Sequence, residues 1–428
     1  MKLAAHDSAA IAFHDLAAEG HNIILTGQAG TGKTTLLHDF LDECGDDVAV
    51  TASTGIAALN LGGMTMHRWS GMMLGPKRGE NLHDHLRELM RDERHGVRNG
   101  FNRVRNCRVL VLDEVSMLPG VTLDFLDLLC RTLRRDDRPF GGIQVIATGD
   151  FLQLPPVRTD PSESYDWAFQ SLAWVKANFQ VVHLTKVHRQ DEPEFLGALG
   201  EFRRGRITGI NARLLASRVA HFPDPNIPRL FTHNSQVDKW NAYRLACIEC
   251  EESVYEARTQ GPDSQIQFLR KNLLTPSTLI VKPGARVMFT VNRPDHGYVN
   301  GQTGTVIECG RDAVWVESQG NVIKVERYDW RFDSRDRHSA TFTQMPLRLA
   351  WSLTIHKAQG LTLDSAYIDV RAAREPGQAY VALSRVRSLA GLNLKAWFNG
   401  VFVSRAALEF YEGITPSHST TQTQKQTA

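Results

Sequence analysis

Residues Asn22–Leu41 read NIILTGQAGTGKTTLLHDFL: a short apolar strand, a glycine-rich turn, then an amphipathic helix. Gly27, Gly32, Lys33 and Thr34 have the spacing of a phosphate-binding loop. Glycines let backbone N–H groups wrap a phosphate without Cβ clashes, and a helix starting near Thr34 points its positive dipole end at the anion. Lys33 is expected to reach the β- and γ-phosphates, and the Thr34 hydroxyl to complete a Mg²⁺ shell. Ala29, Gly30, Thr31 and Thr35 fill out the expected nucleotide-binding run. This stretch predicts an α/β fold with a nucleoside-triphosphate site.

The next strands supply what such a site needs for hydrolysis. VLVLDEVSML (109–118) is four apolar β-formers ending in two carboxylates. Asp113 is expected to hold Mg²⁺, and Glu114 to orient and deprotonate the attacking water. VAVTA (48–52) is another buried strand, leading into STGIAAL, where Thr54 and Gly55 could offer backbone N–H groups to a phosphate. IQVIAT (143–148) is a further apolar strand, with Gln153 just beyond its end, where an amide can report the γ-phosphate.

Composition bounds the partners. The 428 residues carry a formal net charge of +2, so any nucleic-acid surface must be local. The length predicts two to four domains. No secretory leader is legible at the N-terminus, because His6, Asp7 and His14 interrupt the apolar residues. No apolar run approaches the ~18 residues of a membrane span. Cys247 and Cys250 form a CxxC, but no second pair completes a zinc site, so free thiols and a reducing compartment are expected. A cytoplasmic protein with no membrane partner follows.

Along the rest of the chain, Asp7–Glu19 predicts a helix stopped by Gly20. The arginine-rich run from Lys77 to Arg108 is interleaved with acids and reads as a solvated helix face. A second region is expected from Ser171, entered by the strand VVHLTKVHRQ (181–190) ending near Arg189. Short β-rich runs with glycine turns between Pro283 and Met345 suggest a small barrel-like insert. Helical periodicity is then expected in PLRLAWSLTIHKAQGLTLDSAYIDV (346–370) and GQAYVALSRVRSL (377–389). The first carries Thr354, His356, Lys357 and Gln359, and the second Arg385. An arginine from a second domain would neutralise charge developing on the γ-phosphate, an effect worth ~10³–10⁵ in rate.

Taken together, GQAGTGKTT, TASTGIAALNLGGMTMHRW, LVLDEVSML, GGIQVIATGDFLQLPPV, LTKVHRQ, LAWSLTIHKAQGLTLD and GQAYVALSRVRSL resemble, in this order, the motifs of PIF-type helicases. These are DNA helicases of superfamily one, the 5′-to-3′ subclass. DFLDLLCRTLRRDDRPFGGIQ (124–144) also resembles the run separating PIF-type from RecD-type relatives. The resemblance implies two tandem RecA-like domains with ATP between them and single-stranded DNA across both. It gives Lys33, Thr34, Asp113 and Glu114 the nucleotide and Mg²⁺ roles, Gln153 the γ-phosphate-sensing role, and Arg189 and Arg385 the arginine-finger roles. Thr54, Gly55 and His67, with Thr354, His356 and Lys357, look like the DNA-contacting positions. His67, Trp69 and His356 are the candidate base stackers. The expected units are 1–172, with a short insert at about 68–105, and 173–412, with an SH3-like insert at 302–345. A disordered tail is expected over 413–428. The expected partners are single-stranded DNA and single-/double-strand junctions, the expected cofactors ATP and Mg²⁺, and the expected state in solution a monomer. Two departures stand out. AAHDSAAIAFHDL lacks the adenine-reading glutamine, and the family's FRQ is HRQ at residues 188–190. RecD- or Dda-type helicases and a remodelling ATPase that does not unwind are the alternatives.

Overall fold

The fold is that of a computed structural model, which describes residues 7–44, 48–73, 75–158, 160, 162–221, 223–332, 340–397 and 400–414. The expected tail therefore lies, from 415 on, outside the described residues.

The first unit is built on six strands: β1 (Ile23–Gly27), β2 (Val48–Ala52), β3 (Met64–Thr65), β4 (Val109–Asp113), β5 (Gln144–Gly149) and β6 (Gln180–Leu184). Their order is β3-β2-β4-β5-β1-β6, and every pair is parallel. Parallel strands must be covered on both faces, which is why β1 reads as an unbroken buried run. On one face α1 (Ser8–Ala18) and α2 (Lys33–Cys44) pack Phe13 edge-on against Phe40. Asp7 caps α1 by accepting from the Ala9 N–H at 3.0 Å. Because the strands run the same way, Gly27, Ala52, Asp113 and Gly149 all arrive at one edge of the sheet. The loops that follow them crowd together there. The acidic–basic run becomes two helices, Leu82–Arg91 and His95–Asn106, whose Leu86, Leu89, Phe101 and Val104 face the core.

Three parts of the fold depart from expectation. The strand expected to open the second unit is β6, and it pairs with β1 from Ile23↔Gln180 to Gly27↔Leu184. The first sheet therefore extends beyond residue 172, and Arg189 lies on the segment leaving it. The chain also returns at its end. The helix Arg405–Gly413 buries Ala407 in the first unit's core and stacks Phe410 on Phe169 at 4.6 Å. Finally, 346–370 is not a helix. It forms the short strands Leu347–Leu349 and Ser352–Thr354, a turn, and the strand Ala366–Asp369. Short apolar runs fit a buried strand as well as a helix, and here β7 (Arg229–Phe231) supplies a parallel partner to both Ser352–Thr354 and Ala366–Asp369.

Those strands form the second parallel sheet, ordered Ser352–Thr354, β7, Ala366–Asp369, Leu392–Ala396. The β-rich region is wider than residues 302–345. Arg286–Phe289 and Leu347–Leu349 join Thr303–Cys309, Ala313–Ser318 and Asn321–Glu326 in a five-stranded antiparallel sheet. Ala340–Gln344 pairs elsewhere, between Tyr328–Phe332 and Arg258–Gln260.

Candidate active site

The loop between β1 and α2 forms one wall of a cleft of about 340 Å³ between the two units. Gly30, Thr31, Gly32, Lys33, Thr34 and Thr35 line it from the first unit, with Glu114 and Gln153 beside them. Arg189, Gly360, Thr362 and Arg385 close the other side. A larger cavity of 580 Å³ runs along β6 between α1 and the C-terminal helix, but neither Asp113 nor Glu114 reaches it. Glu114, with the phosphate loop, places the chemistry in the smaller cleft.

The phosphate loop is hydrogen-bonded to partners within this chain. Lys33 Nζ donates to the carbonyls of Gly27 at 2.8 Å and Gln28 at 3.0 Å. Thr31 Oγ1 donates to Gln28 O at 3.0 Å. The Ala29 N–H donates to the Tyr380 hydroxyl at 3.1 Å, a contact from the second unit. Burial lowers the Lys33 pKa, against the pull of Asp150, Glu114 and Asp113. Gly30 has φ +80°, and a Cβ there would sit 2.6 Å from Arg189 Cβ. Only glycine lets the second wall approach the loop this closely.

Asp113 ends β4, buried, and accepts a hydrogen bond from Thr148 Oγ1. Burial raises its pKa. Glu114 follows in the left-handed region at φ 53°, and burial, then Asp113, pushes its carboxyl up to about 7. A carboxyl poised there can take a proton from water near neutral pH. Gln153 is buried, its amide donating to Asp150 Oδ2 at 3.1 Å. Asp150 in turn pairs with Arg203 at 2.6 Å and accepts from the Tyr411 hydroxyl at 3.2 Å. The same hydroxyl lies 2.6 Å from Thr26 Oγ1 and accepts from the Phe151 N–H at 3.2 Å. A Cβ on Gly377 would meet Gln153 O at 2.3 Å, so the second unit also touches Gln153 directly.

The two arginines sit side by side. Arg189 donates to Thr362 Oγ1 and Ser384 O, each at 3.1 Å. Arg385, 2% exposed, donates to Val381 O at 2.8 Å and Ser384 Oγ at 2.9 Å. It lies just past the helix Gln378–Leu383 rather than on it. Burial and Arg189 push its pKa down to about 9.

The residues expected to hold Mg²⁺ fit a hard cation. The Thr34 hydroxyl and the Asp113 carboxylate are oxygen donors at the same loop end, and the burial that raises the Asp113 pKa would be relieved by a cation. Among the described residues no group of three or more His, Cys, Asp or Glu side chains could hold a metal on its own. Such a set suits an ion that takes its remaining ligands from phosphate and water.

The residues expected to contact DNA fall outside the cleft. Thr54 caps α3 (Gly55–Asn60), accepting from the Ala57 N–H at 3.3 Å. Gly55 is buried, and a Cβ there would strike the Asn272 side chain. It is therefore a packing contact with the helix Asp263–Asn272. His67 is half-buried, whereas Trp69, 3% exposed, belongs to the core and cannot stack on a base. Thr354 is buried with its hydroxyl accepting from the Lys357 N–H at 3.2 Å, while His356 is exposed. Missing from the sequence reading were Tyr380 and the partner of Gln359, whose amide donates to Glu114 Oε2 at 2.8 Å. Gln359 stood out as a polar residue between apolar runs, but nothing in its spacing named its partner.

Comparison with known proteins bears on this geometry. Residues 8–199 match the family described as PIF1-like helicase. The ATP-dependent DNA helicase Pif1 of Bdellovibrio bacteriovorus is 36% identical over 403 residues, 93% of this chain and 90% of that protein. The structure of Bacteroides sp Pif1 in complex with ADP-AlF4 superposes with a TM-score of 0.82 at 32% identity, covering 96% of this chain and 97% of that one. The Bacteroides Pif1 structure bound to ssDNA gives 0.66 at the same identity and coverage.

Proposed function

The chain belongs to the family of PIF1-like helicases, and on that premise we propose that it is an ATP-dependent DNA helicase moving 5′-to-3′ on single-stranded DNA. The observation that carries the reading is the convergence of Lys33, Glu114, Gln153, Arg189 and Arg385 on one cleft between two parallel-sheet units. This is the tandem RecA-like arrangement of the Pif1 structures it matches.

The geometry supports the following roles. ATP phosphates entering the cleft would compete for Lys33 Nζ and the Ala29 N–H, drawing them off Gly27 O, Gln28 O and Tyr380. Glu114 activates water, and Arg189 and Arg385 present two fixed guanidinium forks to the γ-phosphate. Thr34 and Asp113 would hold Mg²⁺, which would supply charge neutralisation on the phosphates. Gln153 touches the cleft on one side and Asp150 on the other, so γ-phosphate occupancy is felt at the Asp150–Arg203 pair. Both arginines come from this chain, which supports a monomer as a complete hydrolytic unit. Thr54, His67, His356 and Lys357 are the proposed DNA contacts, Gly55 and Thr354 shaping the loops that present them. Grip through phosphates and backbone predicts little sequence preference.

The test is ATP hydrolysis with and without oligothymidine, run beside unwinding of partial duplexes carrying a 5′ or a 3′ tail. Stimulation with unwinding from the 5′ tail alone is expected. Unwinding from the 3′ tail would overturn the polarity, and stimulation without unwinding would favour a remodelling ATPase.

A further inference from the structure

Glu114 is held from two directions. Its backbone carbonyl accepts from Ser53 Oγ at 2.8 Å, and the Ser53 N–H donates to Asp113 O at 3.0 Å. Its carboxylate Oε2 accepts from Gln359 Nε2 at 2.8 Å, across 245 positions of sequence and from the other unit. Ser53 immediately precedes Thr54, and Gln359 lies three residues after His356. The proposed base is thus tied to both loops that are proposed to meet DNA.

Gln359 cannot move independently of its loop. The Lys357 N–H donates to Thr354 Oγ1, the Ala358 N–H to Thr354 O at 2.9 Å, and the Gln359 N–H to His356 O at 3.2 Å. The next residue, Gly360, lines the cleft. A load on His356 or Lys357 is passed through this hydrogen-bonded turn to the Gln359 side chain. Glu114 needs such a partner. Its left-handed backbone aims it into the cleft, but its side-chain torsions are free until a second contact fixes the carboxylate. A general base displaced by an ångström loses most of its effect.

We propose that Gln359 is a positioning residue for Glu114, carrying the seating of single-stranded DNA on the Thr354–Lys357 turn to the carboxylate that activates water. The inference rests on the reading of Glu114 as the base and of that turn as a DNA contact.

The experiment compares the full-length protein with Q359L, which keeps the volume and removes the donor. Q359N is the control that keeps the amide one methylene short. Turnover of ATP is measured with and without oligothymidine, together with the KM for ATP and oligothymidine affinity by fluorescence anisotropy. In Q359L the oligothymidine-stimulated kcat is expected to fall about 10- to 100-fold, the worth of a hydrogen bond to a charged group. The DNA-free rate is expected to fall less than the stimulated rate, while KM and DNA affinity stay within about two-fold, the scatter of a near-neutral substitution. Q359N should behave as Q359L, since its amide cannot reach. Wild-type stimulation in Q359L would overturn the assignment. So would an equal loss of both rates, which marks a structural role, or a rise in the DNA-free rate, which marks a restraint. If the unsubstituted protein shows no stimulation at all, the failure lies in the helicase reading itself.

Discussion

Replacing Arg385 with methionine separates catalysis from stability in an unusual direction. The guanidinium is 2% exposed, and among the described residues no carboxylate stands within ion-pair distance of it. Its hydrogen bonds go to Val381 O and Ser384 Oγ. Burial and the neighbouring Arg189 bring its pKa down to about 9. At 1.36 kcal/mol per pKa unit, the folded protein holds this charge at a cost of about 4–5 kcal/mol relative to solvent. Methionine removes that cost and also the two hydrogen bonds, worth about 1 kcal/mol each. The net expectation is a gain of about 2–3 kcal/mol, seen as a rise of a few degrees in the nucleotide-free melting temperature. Turnover should move the other way, falling by ~10³ or more for loss of an arginine finger. Binding of a non-hydrolysable ATP analogue should weaken far less than turnover. Thermal denaturation and steady-state hydrolysis on one preparation decide the matter. A variant that melts lower while hydrolysing at near the original rate would refute the reasoning, because Arg385 would then be a structural strut.

Lys33→Ala should abolish hydrolysis while leaving the fold intact, since its hydrogen-bond partners are the loop's own carbonyls; surviving DNA-stimulated turnover would remove the site assignment. Tyr411→Phe deletes a hydroxyl shared by Thr26, Phe151 and Asp150. The expected loss is about 1–3 kcal/mol in urea denaturation, the cost of stranding buried partners. Arg203→Met leaves the Asp150 carboxylate buried without its cation and should cost about 3–5 kcal/mol near neutral pH. Burial raises the Asp150 pKa, but Arg203, with Lys33 and Gln153, outweighs it and the net position is below the ordinary carboxylate value. The pair's contribution to stability is therefore fully present above the unfolded pKa of about 4 and lost as pH falls from there through the lower folded pKa. Acid denaturation compared between the two proteins should show their stabilities converging toward low pH; a constant gap would refute the linkage.

The local chemistry was written in the sequence. A strand, a glycine turn and Lys33–Thr34 specify a phosphate loop whatever surrounds them, and apolar runs ending in Asp113–Glu114 or leading to Gln153 specify strands that present polar groups at their carboxyl ends. Parallel pairing then brings those ends to one edge, so the first wall of the cleft was legible residue by residue. What the sequence left open were contacts between distant segments. The helical reading of 346–370 failed because a short apolar run does not say whether a neighbouring strand will be there to pair with it, and β7 is. Trp69 and Gly55 looked available to DNA, and packing took both. The tertiary structure alone decided that β6 completes the first sheet, that the C-terminal helix returns to place Tyr411 behind the phosphate loop, and that Tyr380 meets Ala29 across 351 positions. Spacing encodes which face a side chain takes, but the identity of its partner on another segment is fixed only when the chain closes on itself, as when Gln359 reaches Glu114.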